Sequence, residues 1–162
     1  MNRVSKTNYY LNIAQTVAER STCLRKHYGA IIVKNDSIIS TGYNGAPRGR
    51  QNCCDLGFCQ RQKLNIPRGE RYELCRSVHA EANAIISASR EEMLGATLYM
   101  ACTDPESRDI IGGTTSCGMC KRLIINAGIK EVIVRETFDS YTVYEVKDWI
   151  EDDDSLSGVF GY

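Results

Sequence analysis

Basic residues do not outnumber acidic ones in this chain. Twenty Lys and Arg face twenty Asp and Glu, and the formal net charge is zero. A dedicated nucleic-acid binder carries a basic excess, so nucleic acid is not an expected partner. A small anionic substrate needs only a few local cations and stays open. No apolar run is long enough to span a membrane. The opening stretch "MNRVSKTNYYLNIAQTVAERS" is polar and amphipathic and lacks a signal-peptide core, so a cytoplasmic protein is expected. There is no internal repeat and no low-complexity block. Histidine is scarce too, with His27 and His79 alone.

What is present is a chain of 162 residues, 43% hydrophobic and 25% charged. That suits one soluble domain, residues 1–162, with a sizeable core. Eight cysteines stand out: Cys23, Cys53, Cys54, Cys59, Cys75, Cys102, Cys117 and Cys120. In a reducing compartment, clustered cysteines are more often metal ligands or catalysts than disulfides.

Apolar positions at Tyr10, Ile13, Ala14 and Val17 share one helical face, predicting a helix over 7–20 capped by Thr7 or Asn8. "YGAIIVKNDSIISTGYNG" reads as a hairpin, with strands 31–33 and 38–41 turning at Asn35 and Asp36. Their apolar runs suggest strands covered on both faces. Residues 44–76 look irregular, and a loop this long needs a function or a brace. A helix is expected over 78–89 with Ser77 as N-cap. A strand "ATLYMAC", a polar loop 103–115 and a helix from "CGMC" to Gly128 follow. "KEVIVRE" and "YTVYEV" read as strands, and "KDWIEDDD" as a short helix or tail. This order predicts an α/β fold, a three-layer α-β-α sandwich around a mixed central sheet.

Two motifs carry chemistry. "HAE" alone is weak, since a histidine at a helix start is usually an ordinary packed side chain. "SCGMC" places Cys117 and Cys120 where a helix begins and thiolates are favoured, as in a redox dithiol or a zinc site. A redox dithiol leaves His79 and Glu81 without a role. Together His79, Cys117 and Cys120 supply three ligands, the count of a catalytic zinc that keeps a fourth position for water. Glu81, two residues from His79, can move a proton without ligating.

The order H-x-E followed by C-x-x-C is the zinc-deaminase signature. With "STCLRKHYGAIIV", "GYNGAPRG", "CRSVHAEANAII" and "TSCGMCKRLIINAGIKEVIV", the chain resembles the cytidine/deoxycytidylate deaminase superfamily, from the first helix to about residue 135. "GYNGAPRG" narrows the likeness to the deoxycytidylate branch. The resemblance implies a cytidine deaminase-like fold and hydrolytic deamination of dCMP to dUMP. It implies zinc on His79, Cys117 and Cys120, with Glu81 protonating N3 of cytosine and then the leaving ammonia. It implies that the Ala80 N–H meets the pyrimidine carbonyl, that Asn44 contacts sugar or base, and that Arg25 or Lys26 faces the phosphate.

The same resemblance implies a second, structural zinc on Cys23, Cys53, Cys59 and Cys75, with Cys54 the rival of Cys53. It further implies a hexamer with dCTP and dTTP as effectors, Asn44 or Arg48 contacting the triphosphate. Two departures from the family stand out. Ser116 replaces the usual proline before C-x-x-C, and serine is a good N-cap. The segment "TDPESRDIIGGTT" intervenes before the cysteines, where a lid, a specificity loop or a subunit contact is expected. Cys102 reads as a packing residue, and His27 as a surface or core residue. Tyr9, Tyr10 and the terminal "VFGY" are apolar enough for a subunit interface. Rival readings are a deaminase of another small base or nucleoside, a tRNA-editing deaminase, and a non-enzymatic zinc-stabilised interaction module.

Overall fold

In the computed structural model, which describes residues 2–156, five strands form one mixed sheet in the order β2-β1-β3-β4-β5. They are β1 (His27–Lys34), β2 (Ser37–Tyr43), β3 (Thr97–Thr103), β4 (Glu131–Arg135) and β5 (Tyr141–Glu145). β1 runs antiparallel to both β2 and β3, β3 and β4 are parallel, and β5 returns antiparallel to β4. Asn35 and Asp36 make the β1–β2 turn with φ of 52° and 59°, the left-handed pair that a tight hairpin demands.

Strand periodicity splits the core in two. Ile31, Val33, Tyr99, Ala101 and Ile133 point to one face and pack on Tyr10, Leu11 and Ala14 of helix α1 (Lys6–Ala18). Ala30, Ile32, Leu98, Met100, Val132 and Val134 point to the other. There they meet Ala80 and Ala84 of α4 (Ala80–Ile86) and Ile124 and Ala127 of α6 (Gly118–Ala127). The expected α-β-α layering is therefore present. Short helices α2 (Cys53–Leu56), α3 (Gln60–Lys63), α5 (Arg90–Met93) and α7 (Val146–Glu151) complete the set.

Several boundaries differ from the sequence reading. α1 is capped by Ser5, whose hydroxyl accepts from the Asn8 N–H at 3.2 Å, not by Thr7 or Asn8. The helix expected over 78–89 starts two residues late, because His79 and not Ser77 is its N-cap. It also ends early, because Ser89 caps α5 through a reciprocal bond with Glu92. Ser116 is not a cap either, since Cys117 holds that position on α6. β2 lies at the sheet edge, so only alternate side chains are covered, against the expectation of burial on both faces. Tyr10 is 4% exposed and donates to Asp36 at 2.5 Å, which removes it as an interface residue. Tyr9 stays exposed, and the "VFGY" residues lie outside the described region.

Segment 44–76 is less irregular than expected, since it contains α2, α3 and a 3-10 turn at Tyr72–Leu74. Its ends are pinned together. The Gly45 N–H donates to the Val78 carbonyl at 3.2 Å, and the Val78 N–H returns a bond at 2.7 Å. This bridge brings "GYNG" against "HAE". On the same side, Gly42 lets α4 approach the edge strand, for a Cβ there would lie 2.3 Å from the Ala80 carbonyl oxygen.

Candidate active site

His79 and Cys117 are both N-caps, each held in extended backbone just before its helix. α4 is fixed on β2 by the Ser40 hydroxyl, which donates to the Ala84 carbonyl at 2.7 Å, and by the Asn83 amide, which donates to the Tyr43 carbonyl at 2.8 Å. α6 packs beside α4, and the two N-termini converge. His79 Nδ1 lies 3.4 Å from the sulfur of Cys117 and 3.4 Å from that of Cys120. Among the described residues this trio is the one group of such donors whose ligand atoms lie within 4.8 Å of one another.

The trio fits zinc. Tetrahedral Zn–S and Zn–N bonds put nitrogen and sulfur about 3.6 Å apart, close to the spacing found. Electrostatics already favour thiolate at the cluster. Cys117 is drawn down to about 4, first by the hydrogen bond with Cys120 and, against burial, by His79. The same bond and burial push Cys120 up. Burial by itself pulls His79 down, but hydrogen bonds with Cys117 and Cys75 raise it to about 10. A divalent cation takes both sulfurs as thiolates and the imidazole as neutral.

Glu81 is 5% exposed, and burial raises its carboxyl pKa against the opposing pull of His79. A buried carboxyl whose proton affinity is raised suits a group that accepts and returns a proton. Glu81, His79, Ala80 and Cys117 line a cavity of about 230 Å³. Ala80 opens α4, so its N–H belongs to the set that no intrahelical carbonyl satisfies.

Of the sequence-derived binding residues, Arg25, Lys26 and Asn44 also line this cavity. Asn44 is largely committed to the fold. Its Oδ1 accepts from the Ser21 hydroxyl at 2.6 Å and from the Tyr28 N–H at 2.8 Å, and its Nδ2 donates to the Lys26 carbonyl at 2.9 Å. One amide N–H is left over. Arg48 is exposed on the turn after β2 and does not line the cavity. Cys102 is fully buried on β3, as expected, and His27 opens β1 with its Nε2 2.9 Å from the Cys23 carbonyl.

Cys23, Cys59 and Cys75 line the same cavity, and all three influence the buried Cys53 electrostatically. The structure thus gathers the four into one neighbourhood, short of ligand spacing. Cys54 instead is exposed and turned to the Asp55 carboxylate. The sulfurs of Cys23 and Cys75 each accept an N–H from two residues on, Arg25 and Ser77, at 3.4 Å. Segment 103–115 is folded against the strand ends. The Asp104 carboxylate accepts from the Glu106 and Ser107 N–H groups, Ile110 bridges to Thr103, and the Gly113 N–H donates to Glu136 at 2.6 Å. Only its last residue, Thr115, lines the cavity.

Sequence reasoning missed Tyr28, Arg61, Arg68, Tyr72 and Thr115 on the cavity wall. A usable signal existed for two of the cations and one ring. Arg61, Arg68 and Tyr72 sit in the very segment whose end carries Cys75 and His79, so that segment had to supply a wall.

The family model for the cytidine and deoxycytidylate deaminase zinc-binding region matches residues 4–136. The chain belongs to this deaminase family. A deoxycytidylate deaminase of Mycobacterium phage D29 is 37% identical over 82% of this chain and 96% of its own length. One of Schizosaccharomyces pombe is 34% identical over 86% of this chain, which spans 40% of that longer protein. The dCMP deaminase of cyanophage S-TIM5 in complex with dCMP and dUMP aligns with a TM-score of 0.58 at 28% identity, over 95% of both chains. Family membership accounts for the zinc-type donor trio and weighs against a redox dithiol.

Proposed function

We propose that this chain deaminates dCMP, consuming water and releasing dUMP and ammonia. The observation that carries the reading is Glu81, a buried carboxylic acid on the wall of the cavity beside the His79, Cys117 and Cys120 donors. An interaction module held by zinc has no use for that group. The names of the phage and yeast relatives and the dCMP and dUMP of the cyanophage enzyme support the substrate.

A zinc ion, held by His79, Cys117 and Cys120, would supply Lewis acidity that lowers the pKa of a water in the site to about 7. Glu81 accepts the proton that water gives up. As the water oxygen bonds to C4, Glu81 passes that proton to N3 of the cytosine ring; it then takes the second proton from the oxygen now on C4 and delivers it to the amino group, which leaves as ammonia. The Ala80 N–H orients the ring through its carbonyl, and the remaining Asn44 N–H meets sugar or base. Cations on the wall, Arg25 and Lys26 among them, favour a phosphorylated substrate. A second zinc on Cys23, Cys53, Cys59 and Cys75 would brace segment 44–76, and the gathering of these four side chains around one end of the cavity supports it. Effector control by dCTP and dTTP through Asn44 or Arg48, a hexameric assembly and a cytoplasmic location complete the reading. None of the described helices is long and apolar enough to cross a membrane.

Ammonia release from dCMP, CMP, dCTP and deoxycytidine, with zinc content from the same sample, tests this. Preferential turnover of dCMP is expected. Faster turnover of deoxycytidine, or none of any substrate by zinc-loaded protein, overturns it.

A further inference from the structure

We propose that Arg61 is the cation that anchors the 5′-phosphate and sets a preference for the nucleotide over the bare nucleoside. The assignment deepens the deaminase reading above and rests on it for the identity of the base. Arg61 is 6% exposed, unlike the exposed Arg25 and Arg68 on the same wall. Its Nη2 donates to the Pro67 carbonyl at 2.9 Å and the Glu70 carbonyl at 2.7 Å. Its guanidinium lies over the Tyr72 ring, 4.6 Å from the centroid. That ring in turn meets the His79 imidazole edge-on at 5.3 Å.

Two facts show that this cation is incomplete. Its Nε is buried with no hydrogen-bond partner, and no ion pair among the described residues includes it. Carbonyls satisfy donors but do not neutralise a charge, and a buried charge without a counter-ion is costly. An anion in the cavity supplies the missing counter-charge. A phosphate suits a guanidinium, which offers a planar fork of donors.

The placement suits a nucleotide. With the base at the His79 end, one ring further along, past Tyr72, is where a sugar-borne phosphate falls. Exposed cations on the wall can attract the anion, but water and salt screen them. Arg135 is a useful contrast. It is also buried, with an unpartnered Nε and no ion pair among the described residues, but it does not line this cavity, and Gln15 and the Asn8 carbonyl take its other nitrogens. Arg135 therefore serves packing, and facing the nucleotide cavity is what separates Arg61 from it.

The test compares phosphorylated with unphosphorylated ligands on zinc-loaded protein. Binding of dUMP and of deoxyuridine is measured by calorimetry, and turnover of dCMP and deoxycytidine by ammonia release. Arg61→Gln is expected to weaken dUMP about ten- to hundredfold while leaving deoxyuridine unchanged. The dCMP defect should sit in KM rather than kcat. Inorganic phosphate should compete with dUMP in the wild type and not in the variant. Arg61→Lys keeps the charge without the fork and should recover part of the loss. It also carries the same comparison if Arg61→Gln fails to fold. Equal weakening of both ligands would mean that Arg61 only shapes the loop, and undiminished dUMP binding would hand the phosphate to its neighbours. Either result overturns the proposal. A wild type that binds dUMP through Arg61 but deaminates neither substrate supports the phosphate assignment and overturns the deaminase reading instead.

Discussion

His79 Nδ1 lies 3.4 Å from the sulfur of Cys117, although 38 positions separate the two in the chain. Each residue caps a different helix. The donor cluster is therefore a junction between α4 and α6, and whatever sets the relative position of those helices sets its geometry.

Glu81 and His79 should separate cleanly in their effects. Glu81→Gln keeps the volume and removes the exchangeable proton, so kcat for dCMP should fall by about 10²–10⁴ with zinc content unchanged. His79→Ala removes a ligand, and zinc and activity should be lost together. Metal analysis beside ammonia release decides it. An active Glu81→Gln protein would remove this carboxylate from the chemistry.

The paired cysteines of α2 should differ. Cys53 is buried and electrostatically coupled to Cys23, Cys59 and Cys75, whereas Cys54 is exposed. Two zinc ions per chain are expected in the wild type. Cys53→Ser should lose one of them and become more protease-sensitive in segment 44–76, and Cys54→Ser should lose neither. A single zinc per wild-type chain would refute the second site.

Gly42→Ala should disturb α4. A methyl group there would meet the Ala80 carbonyl oxygen at 2.3 Å and the Ala84 nitrogen at 2.4 Å, both backbone atoms. The helix must shift away from β2, at a cost of about 1–3 kcal/mol by analogy with overpacked cores. His79 and Glu81 move with it, so kcat should fall as well. Denaturant unfolding and turnover measure the two effects, and wild-type values for both would contradict the close approach.

The Tyr10–Asp36 hydrogen bond should give stability bounded at both pH extremes. The bond from Tyr10 holds the Asp36 carboxyl below its ordinary value, helped by Lys6. That contribution is present above the unfolded carboxyl pKa and is lost as pH falls through the depressed folded one. Tyr10 itself is raised to about 12, first by the bond to Asp36 and then by burial. Its contribution is present below the unfolded phenol pKa and lost as pH rises toward 12. The Tm difference between wild type and Tyr10→Phe should accordingly be flat near neutrality and shrink in strong acid and strong base. A difference independent of pH would leave only the packing of the ring.

Much of the site was legible because its ligand types are rare and ordered. Two histidines leave few choices, and H-x-E followed by C-x-x-C points to one chemistry. The layered fold was legible too, since Ile31 and Ile32 alternate between two cores as strand geometry requires. The errors fell at helix starts. Ser77, Ser116 and Asn8 are good caps by type, but the chain enters its helices at His79, Cys117 and Ser5. At the two ligand helices a residue that faces the donor cluster occupies the cap, and cluster geometry overrides intrinsic capping preference.

The sequence by itself determined the donor types and their order, the carboxylate two residues from His79 and the α/β layering, because local residue type and periodicity encode them. The tertiary structure alone decided what surrounds them. It brought Gly45 to Val78, which closes segment 44–76 into a wall of the cavity. It buried Cys53 and left Cys54 exposed. It also placed Arg61 under cover beside Tyr72, leaving Arg48 in solvent. Burial and long-range approach turn an ordinary basic residue into a candidate binding group, and neither can be read from spacing along the chain.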